Sequence, residues 1–229
     1  LGLPLWIPAV NGTVTVRGRE LSPDQDTGDT FSDVTAKLNF ALALRVEAQK
    51  GRFGLLVDAM YADVSATRDT AADGEVELRT RALLGDAVAY YTLIAPPPGP
   101  QKFGTFRLDA LGGARVTWLQ LGLSARDFNV TQEHNIVDPI VGGRFELGLA
   151  EWLSLKARGD VGGFGISPGT TTQFSWNVDA SLEFHLSDSV DLAIGYRWLH
   201  YNFGKGSGPA EFKFDTDMSG PTVALTVRF

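Results

Sequence analysis

The chain's three histidines, His134, His185 and His200, are the first residues to be asked for chemistry. A zinc site needs His, Cys or carboxylate ligands converging on one ion. No two of these histidines share ligand spacing, and the chain has no cysteine. No metal site and no cofactor are therefore expected, and a thiol nucleophile or disulfide frame is excluded. A hydrolase would need a histidine beside a serine, or paired carboxylates, at a rim open to substrate. His134 reads as a loop residue and His185 as part of a tight turn. His200 falls near a strand end on the parity of Tyr196 and Trp198, which reads as an interfacial position. No catalytic residue is assigned, the chain is expected not to be an enzyme, and hydrolysis through His200 or Asp215 ranks last among the functions considered.

The remaining motifs weaken on inspection. DQDTGD (24–29) sets Asp24, Asp26 and Asp29 around a glycine, but Gly28 stands where a calcium loop needs its third acidic ligand. DTAADGE (69–75) and FDTD (214–217) are acidic in the same loose way, and all three read as solvated loops. GDVGGFG (159–165) lacks the Lys-Ser/Thr and the helix of a phosphate loop. A formal net charge of −7 argues against nucleic acid as a partner, since phosphate binding needs a basic surface.

The strongest constellation is a set of charges spaced two apart. Arg45 and Glu47 alternate with Leu42, Leu44 and Val46, and Asp58 follows in the next segment. Arg107, Asp109 and Arg115 oppose Phe106, Leu108, Ala110, Ala114, Val116 and Trp118. Arg144 and Glu146 come next. Lys156, Arg158 and Asp160 oppose Leu153, Leu155, Ala157 and Val161. Asp179 and Glu183 oppose Phe174, Trp176, Val178, Leu182 and Phe184, and Arg197 completes the set. Period two is the signature of strands, with one apolar and one charged face. Opposite signs on neighbouring strands can pair, which buried charges require.

Ten strands must carry these residues, over 9–19, 34–49, 52–67, 74–93, 103–122, 136–149, 152–164, 172–186, 189–203 and 210–229. Tight turns at 49–52, 150–152 and 185–189 alternate with longer polar loops, the asymmetry of a bacterial outer-membrane barrel. A membrane strand needs only about 9–11 residues, half of them facing lipid, so a mean hydropathy of −0.02 does not count against one. The predicted fold is a single domain over 1–229, an all-β, up-and-down antiparallel transmembrane β-barrel of ten strands, with eight strands or a soluble lipid-binding barrel as alternatives. An even count puts both termini on the periplasmic side. Trp and Tyr residues toward strand ends fit interfacial girdles. Two places break the alternation: Asp86 falls off the parity of Arg79 and Arg81, which a bulge near Gly85 would repair, and Ser219-Gly220-Pro221 separates Phe212 and Phe214 from Val223 and Val227. The start, LGLPLWIPAV, reads as a mature N-terminus.

The stretch DPIVGGRFELGLAEWLSLKARGDVGGFGIS resembles the corresponding part of a widespread, mostly uncharacterised proteobacterial family of small outer-membrane β-barrels. IGYRWLHYNF with MSGPTVALTVRF is similar to that family's closing hairpin, and LNFALALRVEAQKGRFGLLVDAMYADVS to its second and third strands. The likeness covers nearly the whole chain and is looser in the loops and over 74–100. It implies a location and an architecture, with no activity attached. By the same resemblance the alternation of Val223, Leu225, Val227 and Phe229 is the signal read by the barrel-assembly machinery.

About eight strands leave room only for side chains and about sixteen leave an aqueous channel, so ten strands filled with Arg and Glu predict a largely plugged, charge-lined interior. The first functional expectation is a membrane scaffold or partner-docking protein. The alternative is a narrow, porin-like passive channel for small solutes or ions. The expected partners are outer-membrane lipid and lipopolysaccharide, the barrel-assembly machinery, and another membrane or extracellular protein held through the loops.

Overall fold

The computed structural model describes residues 1–16, 19–21, 38–70, 74–97, 103–125, 128–166, 170–207 and 212–229. The acidic stretch at 24–29 lies outside the described residues, as do 34–37 of the expected second strand. The strands are β1 (Gly2–Trp6), β2 (Ala9–Val16), β3 (Arg19–Leu21), β4 (Leu38–Lys50), β5 (Phe53–Thr70), β6 (Gly74–Ile94), β7 (Phe106–Ala125), β8 (Phe128–Ala150), β9 (Leu153–Gly162), β10 (Thr170–His185), β11 (Val190–Lys205) and β12 (Phe212–Val227). From β4 to β12 each strand pairs antiparallel with the next.

Closure comes from the N-terminus. β1 pairs with Thr222–Thr226 of β12 and meets β4 through Gly2 opposite Arg45, while β2 pairs with Phe212–Ser219. β1 and β2 are thus two halves of one strand broken at Ile7-Pro8, and the barrel has ten strands. Both chain ends sit at the same mouth, with the Leu1 ammonium donating to the Val227 carbonyl at 2.9 Å. Pro4 and Pro8 conceal β1 in the sequence, because proline cannot donate to a ladder. It is tolerated here where pairing to β4 is confined to Gly2.

The alternation is kept through both places where the sequence suggested a break. No register shift occurs at Gly85: Asp58, Asp86 and Arg115 lie opposite one another across β5, β6 and β7. Asp86 faces inward with Leu84, Val88 and Tyr90. Arg79 and Arg81 have the other parity and face outward. Pairing of β12 with β11 also runs unbroken past Ser219-Gly220-Pro221. Gly220 is needed there for space, since a Cβ on it would lie 2.0 Å from the Ile7 carbonyl oxygen where β1 and β2 join.

The outer face carries Phe40, Leu42, Leu44 and Val46 on β4, Phe53, Leu55 and Val57 on β5, and Val223 and Leu225 on β12. All are large hydrophobics left exposed, up to 63% for Leu55 among this group except Phe53 at 69%. A soluble barrel would bury this face; a membrane-spanning one offers it to lipid. Above it, at the mouth away from the termini, the outward positions turn polar in one row. Asp63, Arg81, Gln120 and Glu133 lie opposite one another across β5 to β8. Arg81 bonds Asp63 at 3.2 Å and Gln120 at 3.0 Å, and Arg79 bonds Asp63 at 2.7 and 3.0 Å.

Two stretches read as loops are strand. β5 and β6 pair up to Thr70 opposite Gly74, and β7 and β8 up to Ala125 opposite Phe128. There the sequence turns to polar and turn-forming residues, over 68–70 and 124–129, while the ladder continues. Three aromatics assigned to girdles face inward instead: Trp6, Tyr90 and Tyr201 are each 6% exposed or less. Their rings fill the interior: guanidinium groups lie over the faces of Tyr90 and Trp6, and the Tyr201 hydroxyl meets that of Thr117.

Candidate functional site

Along the inward face of β7, charge and grease alternate: Arg107 and Asp109, then Leu111, then Arg115, then Thr117 and Leu119. Neighbouring strands extend each step into a layer. Nearest the terminal mouth, Asp109 accepts from Arg107 Nε at 3.0 Å and from Arg144 Nη2 at 2.8 Å, and Arg144 also bonds Glu47 at 2.8 and 3.1 Å. Tyr90 lies under both guanidinium groups, its ring centre 4.6 Å from Arg144 and 5.6 Å from Arg107. Lys156 joins Glu183 at 2.6 Å and Glu146 at 3.5 Å beside it. The apolar layer above comprises Leu56, Val88, Tyr90, Leu111 and Ile140.

The waist is built around Arg115, which is wholly buried. Its Nε and Nη2 donate to the two oxygens of Asp86 at 2.8 and 3.0 Å, and Nη2 also reaches Asp160 at 2.8 Å. Arg158 bonds the same two carboxylates at 2.7 and 3.0 Å, closing a ring of two cations and two anions. Asn177 donates to Asp160 at 3.1 Å and accepts from Arg197 at 2.7 Å. Alternating signs inside a buried layer pair with each other, whereas any one alone would be costly to bury. Tyr201 and Thr117 share a hydrogen bond of 2.7 Å. Toward the far mouth the filling is aromatic: Phe203 and Phe212 pack with Ile136, and His134, expected in a loop but placed on β8, stacks on Phe212 at 3.6 Å.

One small cavity, of about 40 Å³, lies beside the β1–β4 seam and touches Trp6, Arg45, Asp58, Met60, Asp179 and Arg197. A water needs roughly 10–15 Å³, so the cavity has room for two or three waters. Arg45 is ion-paired to Asp58 there, and Arg197 lies 4.7 Å from the Trp6 ring centre.

The fourteen charges singled out in the sequence thus fall into four groups: Arg45, Asp58, Asp179 and Arg197 around the cavity; Glu47, Arg107, Asp109 and Arg144; Glu146, Lys156 and Glu183; and Arg115, Arg158 and Asp160. Asp86 was missed as the second anion of the last group. Its parity with Leu84 and Val88 was the available signal. A second omission is at the terminal mouth. Ser154 on β9, His185 at the end of β10 and Asp191 on β11 are joined in series, Oγ to Nε2 at 2.8 Å and Nδ1 to Oδ1 at 2.8 Å. His200, on the outer face as expected, bonds Asp217 at 2.9 Å and stacks near Trp176.

No family model matches the chain, and no curated protein matches it in sequence. Among solved structures it is similar to the outer membrane protease OmpT from Escherichia coli, at 9% identity over 99% of this chain and 96% of that one, with a TM-score of 0.55. Two structures of OmpT of Vibrio cholerae align with TM-scores of 0.30 and 0.28, too low to bear on the fold. The expectation that the chain is not an enzyme is corrected by the first of these. A barrel of this architecture serves as a protease, so motifs missing from the linear sequence do not exclude catalysis. Residues on separate strands meet without leaving a local motif, as Ser154, His185 and Asp191 do. At 9% identity the likeness shows the fold alone: this chain is an outer-membrane-type, closed, ten-stranded antiparallel β-barrel.

Proposed function

We propose that this barrel resides in the bacterial outer membrane with both termini periplasmic, does not conduct, and acts at its surfaces as a membrane scaffold or docking protein. The observation that carries this reading is the waist. Arg115 has no exposed surface, and Asp86, Asp160, Asn177, Leu199 and Tyr201 around it are each 4% exposed or less. A solute would have to break the ring of Arg115, Arg158, Asp86 and Asp160 to pass.

The surfaces supply the contacts. The row Asp63–Arg81–Gln120–Glu133 above the apolar belt suits the headgroups of outer-leaflet lipid and lipopolysaccharide. The hairpins β5–β6 and β7–β8 continue beyond that row and offer paired strands to a protein partner outside the cell. The outward alternation of Val223 and Leu225, continued in sequence by Val227 and Phe229, suits an address for the barrel-assembly machinery, in line with the resemblance to the uncharacterised proteobacterial barrel family.

The test is conductance of a planar lipid bilayer, using protein whose folding is established by a difference in gel mobility before and after boiling. Inserted protein is expected to be silent at all voltages tested. Discrete openings whose size changes in Arg115→Met or Asp160→Asn would overturn the closed reading and make the barrel a narrow channel.

A further inference from the structure

Ser154 is the second residue of β9, His185 the last of β10 and Asp191 the second of β11. Three adjacent strands therefore bring them to one inward corner of the mouth that holds the termini. The order of contact matters more than the closeness. The Asp191 carboxylate can only accept, so the hydrogen of the imidazole lies on Nδ1, 2.8 Å from Oδ1. Nε2 is then the lone-pair nitrogen, and the Ser154 hydroxyl, 2.8 Å away, is the donor to it. Arg228 Nη2, 2.6 Å from the same Asp191 oxygen, fixes that carboxylate. Glu183 lies 3.9 Å from Nδ1 and adds a second negative charge beside the ring.

We propose that Ser154 is a nucleophile for acyl transfer, with His185 as its general base and Asp191 as the positioning residue that sets the tautomer and stabilises the imidazolium. The chemistry is that of a hydroxyl aimed at a basic nitrogen whose other nitrogen is tied to a buried carboxylate. The substrate class is a carboxylic ester with an apolar acyl group. The turns on either side present Trp152 and Leu186, both about 60% exposed, to the membrane edge. Ser154 Oγ bonds the carbonyl carbon while its proton passes to His185 Nε2. The carbon–oxygen ester bond then breaks, and the departing alcohol takes that proton. Water repeats the sequence against the acyl-serine, releasing the acid and restoring the hydroxyl. Ser154 is fully buried at rest, so substrate must displace part of the mouth, and the exposed turn at 186–189 adjoins it.

Chemistry at this mouth does not depend on whether the lumen conducts. The test uses the full chain, folded in detergent micelles as judged by gel mobility, treated with an alkyl fluorophosphonate and analysed by peptide mass spectrometry. An adduct is expected on Ser154, formed as the oxygen–phosphorus bond replaces phosphorus–fluoride. It should be absent in Ser154→Ala and slower by about 100-fold or more in His185→Gln, the scale of a lost general base. Asp191→Asn should slow labelling also, while its gel shift shows it folded. Folded wild-type protein without an adduct at Ser154, or an unchanged rate in folded His185→Gln, would overturn the proposal and leave the three residues as a tie between strands.

Discussion

Replacing Arg115 by methionine isolates the waist from every other part of the molecule. The side chain makes three charge-assisted hydrogen bonds, two to Asp86 and one to Asp160. Each such bond contributes about 1.5–3 kcal/mol, so their gross loss is large. Two terms offset it. Arg158 still bonds both carboxylates, and a buried methionine recovers about 1.5–3 kcal/mol of apolar transfer. The expected net loss is about 3 kcal/mol, the lower end of the range for breaking a buried ion pair. The double variant Arg115→Met/Asp86→Asn removes one charge of each sign and leaves Arg158 with Asp160. It should recover about 2 kcal/mol of that loss, because the cost lies in the uncompensated anion rather than in the missing contacts. Both are read by reversible urea unfolding in phospholipid vesicles, followed by tryptophan fluorescence, at an unchanged urea slope. A single variant within 1 kcal/mol of wild type, or a double variant no better than the sum of its parts, would refute the alternating ring.

Three further outcomes follow from the packing inside the barrel and along its belt. Tyr201→Phe should cost about 1–3 kcal/mol by leaving the buried Thr117 hydroxyl without its partner, and Tyr201→Phe/Thr117→Val should cost less than the single change in the same unfolding assay. Gly220→Ala drives a Cβ into the Ile7 carbonyl, so the seam must shift. A loss of about 1–3 kcal/mol is expected, seen as a lower temperature for losing the compact gel band. Val57→Arg, in the middle of the outer apolar belt, should cost about 2–4 kcal/mol in vesicles, whereas Gln120→Arg, in the polar row above it, should cost less than 1 kcal/mol on the same depth scale. Equal costs at the two positions would put the membrane boundary elsewhere.

The barrel was legible because its driving pattern is local. Phe40, Leu42, Leu44 and Val46 alternate with Arg45 and Glu47 within a few residues, and that period sets both the strand and its faces. Strand ends were less legible where the cause is not local. Past Leu123 the sequence carries no apolar alternation to mark β7 and β8, yet their ladder continues to Ala125 opposite Phe128. β1 was hidden for the opposite reason: its prolines argue against a strand, and only the seam opposite β4 makes them tolerable.

The site was less legible still, because register decides it. Asp86 becomes the partner of Arg115 only because β6 and β7 keep one register from Glu77 to Thr92, setting the two directly opposite. A slip of one residue would turn Asp86 to lipid and destroy the ring. The same holds at the mouth, where β10 pairs His185 with Asp191 and Glu183 with Ser154. No spacing in the sequence foretells that meeting, since serine, histidine and aspartate each stand among ordinary strand-end residues. The ring and the mouth therefore test one another: both depend on the register carried from β6 to β11, which shifts near strand ends at Thr92/Ile94, Gly148/Ala150 and Thr170/Thr172 and holds between them. A variant that slips a register, rather than removing a charge, should silence the chemistry at Ser154 and destabilise the waist together.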